Sequence, residues 1–307
     1  MIEYNVSKFL KFIYNKNIKL FFIMRKICMY ILNLYVAIYY NLLNKLKKQK
    51  LKRNDKKPGI IVSLTSYGQR IKKVWIPIEM MFNQTVKPNR IILWLDKNEF
   101  SDNSAYSKKI KRLIKRGLEI KYCDNIMGHK KYYYSMKENT EEILIMIDDD
   151  IIYHNKIIEE LLNTYEKYRN CIICQRAHLI TYKNNHIAKY KEWKKDSNGI
   201  IGPSYLLCQT NGAGTLIPPH LLSSEVFNLS NIKNKCLYAD DIWIKVISAY
   251  SKVEVVKVDK ISLPIIEILG TQKKTLSKIN VDCDKNDEQI EELLKLYKID
   301  FQKMESN

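Results

Sequence analysis

Between residues 59 and 150, short apolar runs alternate with polar segments of helical spacing, and this rhythm constrains the fold more than any other feature of the chain. "GIIVSLTSY" (59–67), "NRIILWLD" (89–96), "LEIKYCD" (118–124) and "EILIMIDDD" (142–150) are strand-like. Between them "KKVWIPIEMMFNQ" (72–84), "SAYSKKIKRLIKRG" (104–117) and "HKKYYYSMKEN" (129–139) have helical spacing, with Pro77 in a first turn or break and Gly117 as a stop. Near-continuous apolar strands separated by helices predict a mostly parallel sheet covered on both faces, a Rossmann-like α/β fold. In such sheets ligands sit beyond the carboxyl ends of the strands. Three of the four predicted strands end in acids, at Asp96, Asp124 and Asp148 to Asp150, and the first ends in Ser and Thr.

The chain has 307 residues and a formal charge of +19. Residues 1–57 hold fourteen Lys and Arg against Glu3 and Asp55, so the remainder carries only +7. Pro58-Gly59 marks the change from this basic segment to the globular domain, 58–307. Within the segment, "ICMYILNLYVAIYYNLLN" (27–44) has no charge over eighteen residues but includes three Asn and four Tyr. Flanked by lysines on both sides, it fits a helix lying on an anionic membrane surface better than a spanning anchor. A helical extension packed on the domain is the alternative. No DNA- or RNA-binding motif accompanies the lysines, so no nucleic-acid partner is expected. Seven scattered cysteines without a signal-peptide pattern imply a reducing compartment, and Cys171 and Cys174 read as buried strand residues.

Neither GxGxxG nor GxxxxGK[ST] occurs, so any phosphate needs another countercharge. Three adjacent carboxylates at a strand end suit Mg2+ or Mn2+, which take oxygen ligands and bridge to substrate phosphates. On an extended chain Asp148 and Asp150 would share one side, with Asp149 opposed. The alternative is a solvated acidic turn. A second acidic pair, Asp240-Asp241, opens the amphipathic stretch "YADDIWIKVISAY", where helix capping alone would also favour acids. Between the two lies "LLCQTNGAGTLIPPHLL" (206–222), in which Gly212 and Gly214 permit a close approach or a tight turn, and Pro218-Pro219 is expected to start a short helix. His154 is expected to be a solvated helix-start residue, His220 has a lesser claim as a metal ligand, and Trp193 and Trp243 are expected in the core, with Trp243 the better sugar platform of the two.

The ordered set "VSLTSYGQRI", "LWLD", a Lys-Lys helix, "IMIDDDIIY", "NGAGTLIPP", "ADDIW" and "NDEQIEELLKLY" resembles bacterial nucleotide-sugar glycosyltransferases of the GT-A fold, of the family-two-like kind used in surface polysaccharide synthesis (capsule, lipopolysaccharide), over roughly residues 59–300. The resemblance implies that Ser63, Thr65, Ser66 and Arg70 lie against the nucleotide, that Asp96 bonds the base, and that Lys130 or Lys131 approaches the diphosphate. It further implies that Asp148 touches ribose or sugar hydroxyls and shares with Asp150 the binding of Mn2+ or Mg2+, and that Gly212 and Gly214 shape the sugar or acceptor pocket. Asp241, with Asp240 as fallback, would be the base that deprotonates a glycan or lipid-linked acceptor. The implied donor is a UDP-sugar, and the implied reaction an inverting displacement by a cytoplasmic enzyme peripheral to the inner face of the membrane. The loop reads Gly-Ala-Gly where relatives carry Gly-Gly. Competing readings are a haloacid dehalogenase-type phosphatase or phosphotransferase, which places its Asp-x-Asp on the first strand, and a non-catalytic membrane-associated binding module.

Overall fold

The computed structural model describes residues 5–6, 8–9, 19–52, 58–100, 106–272 and 284–306. Most of the predicted extension before residue 19, the boundary stretch 53–57, the start of the predicted helix 104–117 and Cys283 lie outside these residues.

Helix α1 (Lys19–Leu46) precedes the alternation. There follow β1 (Ile60–Thr65), α2 (Trp75–Phe82), β2 (Arg90–Asp96), α3 (Lys108–Lys115), β3 (Leu118–Cys123), α4 (Lys130–Glu138) and β4 (Ile143–Met146). The second half adds α5 (Ile157–Tyr165), β5 (Ile172–Cys174), β6 (Ala177–Leu179), a short hairpin β7 (Tyr182–Lys183) and β8 (His186–Ile187), then β9 (Leu207–Gln209) and β10 (Thr215–Ile217). It closes with α6 (Leu229–Lys235), α7 (Asp240–Tyr250), β11 (Val255–Lys257), α8 (Lys285–Tyr297) and α9 (Phe301–Ser306).

Among the described residues, seven strands form one sheet in the order β11-β5-β10-β4-β1-β2-β3. Every pairing is parallel except those of β10, which runs antiparallel to β4 and β5. This is the mostly parallel, helix-flanked, Rossmann-like α/β class that the sequence predicts. The alternation of strand side chains explains it. Val62, Leu64, Ile91, Leu93, Ile143 and Ile145 enter one core, while Ile61, Ile92, Trp94, Leu144 and Met146 enter the other. With both faces covered, the central strands β1, β2 and β4 are apolar almost throughout, while the edge strand β3 keeps Glu119 and Lys121 half-buried.

The first core is closed by α1, α2, α3 and α5, and the second by α4, α7 and α8. Helix α3 shows how local sequence sets its bounds. The Ser107 side chain caps the amide of Ile110, and Gly117 ends the turn at φ +110, a value that favours glycine. No helix begins at Pro218-Pro219, contrary to expectation: β10 ends at Ile217, and the next helical turn is the 3-10 segment Ser224–Phe227.

The chain runs β1, β2, β3 outward in one direction and then returns to place β4 on the other side of β1. The strand order therefore reverses between β1 and β4, which opens a crevice at their carboxyl ends.

Candidate active site

The site is built from four chain segments meeting at that crevice. The first follows β1. Its hydroxyls are largely taken up inside the protein: Ser63 donates to the Lys131 carbonyl (2.6 Å) and accepts from Ser135 (2.8 Å), and Thr65 donates to the Trp94 carbonyl (2.8 Å). Ser66 donates to Asp149 (2.5 Å). Arg70, one helical turn on, lies with its guanidinium 5.0 Å from the centre of the Tyr67 ring.

The second segment is the acidic one, and it departs from the expected geometry. β4 ends at Met146, so Asp148 to Asp150 form a turn and not an extended strand. Strand alternation therefore does not apply. Asp149 and Asp150 both face Arg70, at 2.9 and 2.8 Å, while Asp148 faces Lys131 at 2.7 Å. Asp149 is 3% exposed, so the segment is not a solvated acidic turn. Burial drives the Asp149 carboxyl up to about 7, with Arg70 opposing and Asp150 adding. Tyr153 fixes the turn, since its hydroxyl accepts from the Asp148 amide (2.7 Å) and donates to the Gly212 carbonyl.

Lys131 is the third contribution, from the first turn of α4. It is 4% exposed and bridges Asp148 to Asp240, the latter at 3.2 Å. Burial would strip its proton, but Asp148, Asp240 and Asp241 outweigh burial and raise its pKa. It is a permanent cation joining the two acidic stretches. Lys130 reaches Asn125 (3.2 Å) instead, and burial lowers its pKa. Asp96, at the end of β2, is 7% exposed and accepts from the Asn98 amide (2.9 Å). Asp124 is paired with Lys97 at the surface.

The fourth segment couples the glycine-rich turn to the start of α7. The Asn211 amide donates to Asp241 Oδ1 (2.7 Å), and its side-chain amide donates to Asp240 Oδ2 (3.0 Å). Burial raises the Asp241 carboxyl to about 7, and the neighbouring charge of Asp240 adds to it. Burial acts on Asp240 too, but there Lys131, His129 and the Asn211 bond prevail and hold its pKa below the ordinary value. Two adjacent acids are thus split into an anion and a group poised near neutrality. Gly212 is required by closeness: a Cβ there would stand 1.7 Å from Asp148 Oδ2. Gly214, at φ +111, would bring a Cβ within 2.6 Å of Ile157 and packs the turn rather than lining the crevice.

A strap, residues 265–272, closes the remaining side. The Ile268 amide donates to the Asp150 carbonyl (2.7 Å), Gln272 donates to Asp150 Oδ2 (2.9 Å), and Arg70 Nε donates to the Thr271 carbonyl (3.1 Å). The sequence pointed to neither Gln272 nor Asn211. Asn211 had a signal in its position before Gly-Ala-Gly, but Gln272 lies in no recognisable pattern.

Other candidates fall outside the site. His154 is buried and held neutral by burial, its pKa down to about 4, against the expectation of a solvated residue. His220 is exposed and meets Glu141 at 2.9 Å. Trp193 and Trp243 are core residues; Trp243 donates its indole N–H to the Val226 carbonyl (3.1 Å) and offers no face to a sugar. Cys171 and Cys174 are free and buried.

No group of three or more His, Cys, Asp or Glu side chains converges as a metal cage among the described residues. Mg2+ and Mn2+ in phosphate-binding sites rarely have such a cage, and take one or two carboxylates plus substrate oxygens. Asp148, whose side chain is 37% exposed, and Asp150 meet that lesser requirement. Five carboxylates (Asp148, Asp149, Asp150, Asp240, Asp241) face two fixed cations, which leaves acidity for a further cation to neutralise. The donor set fits a divalent ion recruited together with a phosphate ligand.

No family model matches the chain, and no curated protein matches it. Among solved structures, the mannosyltransferase PcManGT from Pyrobaculum calidifontis, in complex with GDP-Man and Mn2+, is similar over 88% of this chain and 74% of its own, at 10% identity and a TM-score of 0.47. A CMP:2-keto-3-deoxy-manno-octonic acid synthetase complexed with CTP is similar over 65% of this chain and 88% of its own, at 8% identity and a TM-score of 0.39.

Proposed function

We propose that this protein is a glycosyltransferase that moves a sugar from a nucleotide-diphosphate donor, of which UDP-sugars are the first to test, to a hydroxyl of a glycan or lipid-linked acceptor in surface polysaccharide synthesis. The observation that carries the reading is the Lys131 bridge. One buried cation ties the acidic turn after β4 to the acid pair of α7, so the segments read as donor-binding and base-bearing form one ion-paired unit at the crevice.

In this reading Asp241 accepts the proton of the acceptor hydroxyl, whose oxygen attacks the anomeric carbon. The bond from that carbon to the diphosphate breaks with inversion, and the diphosphate leaves with the electron pair. A carboxyl poised near 7 is matched to such proton transfer at neutral pH. Asp240, kept anionic, orients Lys131, and Lys131 and Arg70 supply fixed positive charge toward the diphosphate. Asp150 and Asp148 would hold a Mn2+ or Mg2+, which would supply neutralisation of the leaving diphosphate. Asp96 and the Thr65–Ser66 strand end flank the place of the nucleoside. The reaction belongs on the cytoplasmic side of the cell membrane, where nucleotide sugars are drawn upon.

The test is a panel of nucleotide sugars scored by release of nucleoside diphosphate and by thermal shift, with and without Mn2+. Stabilisation by one nucleotide sugar, enhanced by Mn2+, is the expected result. Release of inorganic phosphate from simple phosphomonoesters, with no response to any nucleotide sugar, would instead favour a phosphatase.

A further inference from the structure

The N-terminal helix has two apolar faces, and only one of them is covered. Leu32, Val36 and Tyr40 are at most 2% exposed and belong to the core beneath the sheet. On the opposite face Ile23, Ile27, Ile31, Leu34, Ile38 and Leu42 are 48–63% exposed, with Tyr30 among them at 62%. Their spacing of three and four residues makes a single straight stripe, which from Ile23 to Leu46 is about 35 Å long at 1.5 Å per residue. A stripe of this size on a soluble surface marks an interaction site.

The charge around the stripe identifies its occupant. No Asp or Glu occurs between Glu3 and Asp55. Arg25 and Lys26 lie at one end of the stripe, and exposed Lys45, Lys47, Lys48, Lys50 and Lys52 follow at the other. A second copy of the same helix would bring two such cationic ends together or set both against an uncharged middle. An anionic lipid surface satisfies both halves of the pattern, with apolar side chains entering the acyl boundary and lysines reaching phosphate headgroups.

Geometry also decides between lying on the membrane and crossing it. Ile23–Leu46 is long and apolar enough to span, with a mean hydropathy of 1.3. Yet Asn33 donates to the Glu267 carbonyl (3.1 Å) and accepts from the Leu269 amide (2.9 Å), and Asn44 donates to the buried Glu79 carboxylate (3.1 Å). A helix fixed to the globular domain at both its middle and its end cannot also be surrounded by lipid. We propose that the outward face of α1 seats this protein flat on an anionic bilayer as a monotopic element, embedded on one side only.

The experiment uses the full chain and vesicles of phosphatidylcholine with or without phosphatidylglycerol, read by co-sedimentation. The wild type is expected to bind the anionic vesicles, more weakly at high salt but not to zero, because salt screens only the lysine component. Ile31→Asp combined with Leu34→Asp alters exposed positions and should leave the melting temperature unchanged, while vesicle affinity falls by about tenfold or more. Lys48→Glu with Lys50→Glu, which leaves the stripe intact, should remove the preference for phosphatidylglycerol. Failure of the wild type to bind anionic vesicles, or unchanged binding by the Asp variant, overturns the proposal. So does a wild-type dimer that the Asp variant converts to monomer without any vesicle binding, which would make a second copy the occupant. Resistance of the cellular protein to alkaline carbonate extraction would overturn the monotopic arrangement in favour of a spanning helix.

Discussion

At the scale of single residues, adjacent acids acquire different chemistry from their partners. Asp241 and Asp240 are neighbours in sequence, but only Asp240 touches Lys131. If Asp241 is the base, Asp241→Asn should lower turnover by roughly 10²–10⁴ while leaving donor affinity intact. The acidic limb of the wild-type rate profile should lie near 7, since the carboxyl must lose its proton to act, and that limb should vanish in the variant. A pH–rate series with both proteins checks this; nearly normal turnover in Asp241→Asn, with loss in Asp240→Asn, reverses the assignment. Gly212→Ala makes a second residue-scale test. The added methyl would meet Asp148 Oδ2 at 1.7 Å and displace the carboxylate. Donor affinity in the presence of Mn2+ should fall by about tenfold or more, the usual effect of disturbing a ligand's support, as titration calorimetry would measure.

At the scale of elements, the N-terminal helix is tied into the globular domain through a buried polar node. Glu79, fully buried in α2, receives two bonds from Arg116 (2.8 and 2.7 Å) and one from Asn44 of α1. Glu79→Ala would leave a buried guanidinium without its carboxylate, which costs about 3–5 kcal/mol. Urea unfolding should register that loss, and limited proteolysis between α1 and β1 should accelerate as the helix loosens. Stability within about 1 kcal/mol of wild type would show that the node is dispensable. The same helix reaches the site through Asn33, which holds the strap that carries Gln272 to Asp150. Asn33→Ala should therefore weaken donor binding although residue 33 lies in α1, outside the acidic segments.

At the scale of the whole molecule, acid stability reflects buried neutral histidines in separate regions. Burial lowers His129 and His154 to about 4 and His178 to about 2. Each binds a proton in the unfolded chain near 6.5 and not in the folded one, so its contribution is complete above 6.5 and is lost as pH falls toward the folded value. Asp149 and Asp241, raised to about 7, act in the opposite sense and flatten the overall curve. A difference measurement separates them. Between pH 7.5 and 5 the wild type should lose about 2 kcal/mol more than His129→Gln, which cannot take up that proton. Equal losses in urea titrations would mean that His129 is protonated in the fold.

The sequence by itself determined the sheet and the meeting of polar groups at its edge. Period-two and period-3.6 patterns are local, and central parallel strands buried on both faces are nearly all apolar, so the first four strands and their helices were legible in order. It also marked Asp148, Asp150, Asp240 and Asp241 as candidates, because adjacent acids at a strand end and a helix start call for a cation, while Arg70 and the choice of Lys130 or Lys131 came from the resemblance. Which partner each takes was decided by the tertiary structure alone. Strand alternation would have set Asp149 apart, but β4 stops at Met146 and the following turn points Asp149 and Asp150 together at Arg70. Lys131 joins Asp148 to Asp240, 92 residues apart in the chain, Asn211 holds the pair 29 and 30 positions further on, and Gln272 reaches back to Asp150. Such pairings depend on distance in space, which neither composition nor periodicity encodes. The uncovered face of α1 has the same origin: the sequence shows an apolar helix, and only packing decides which of its sides remains for a partner.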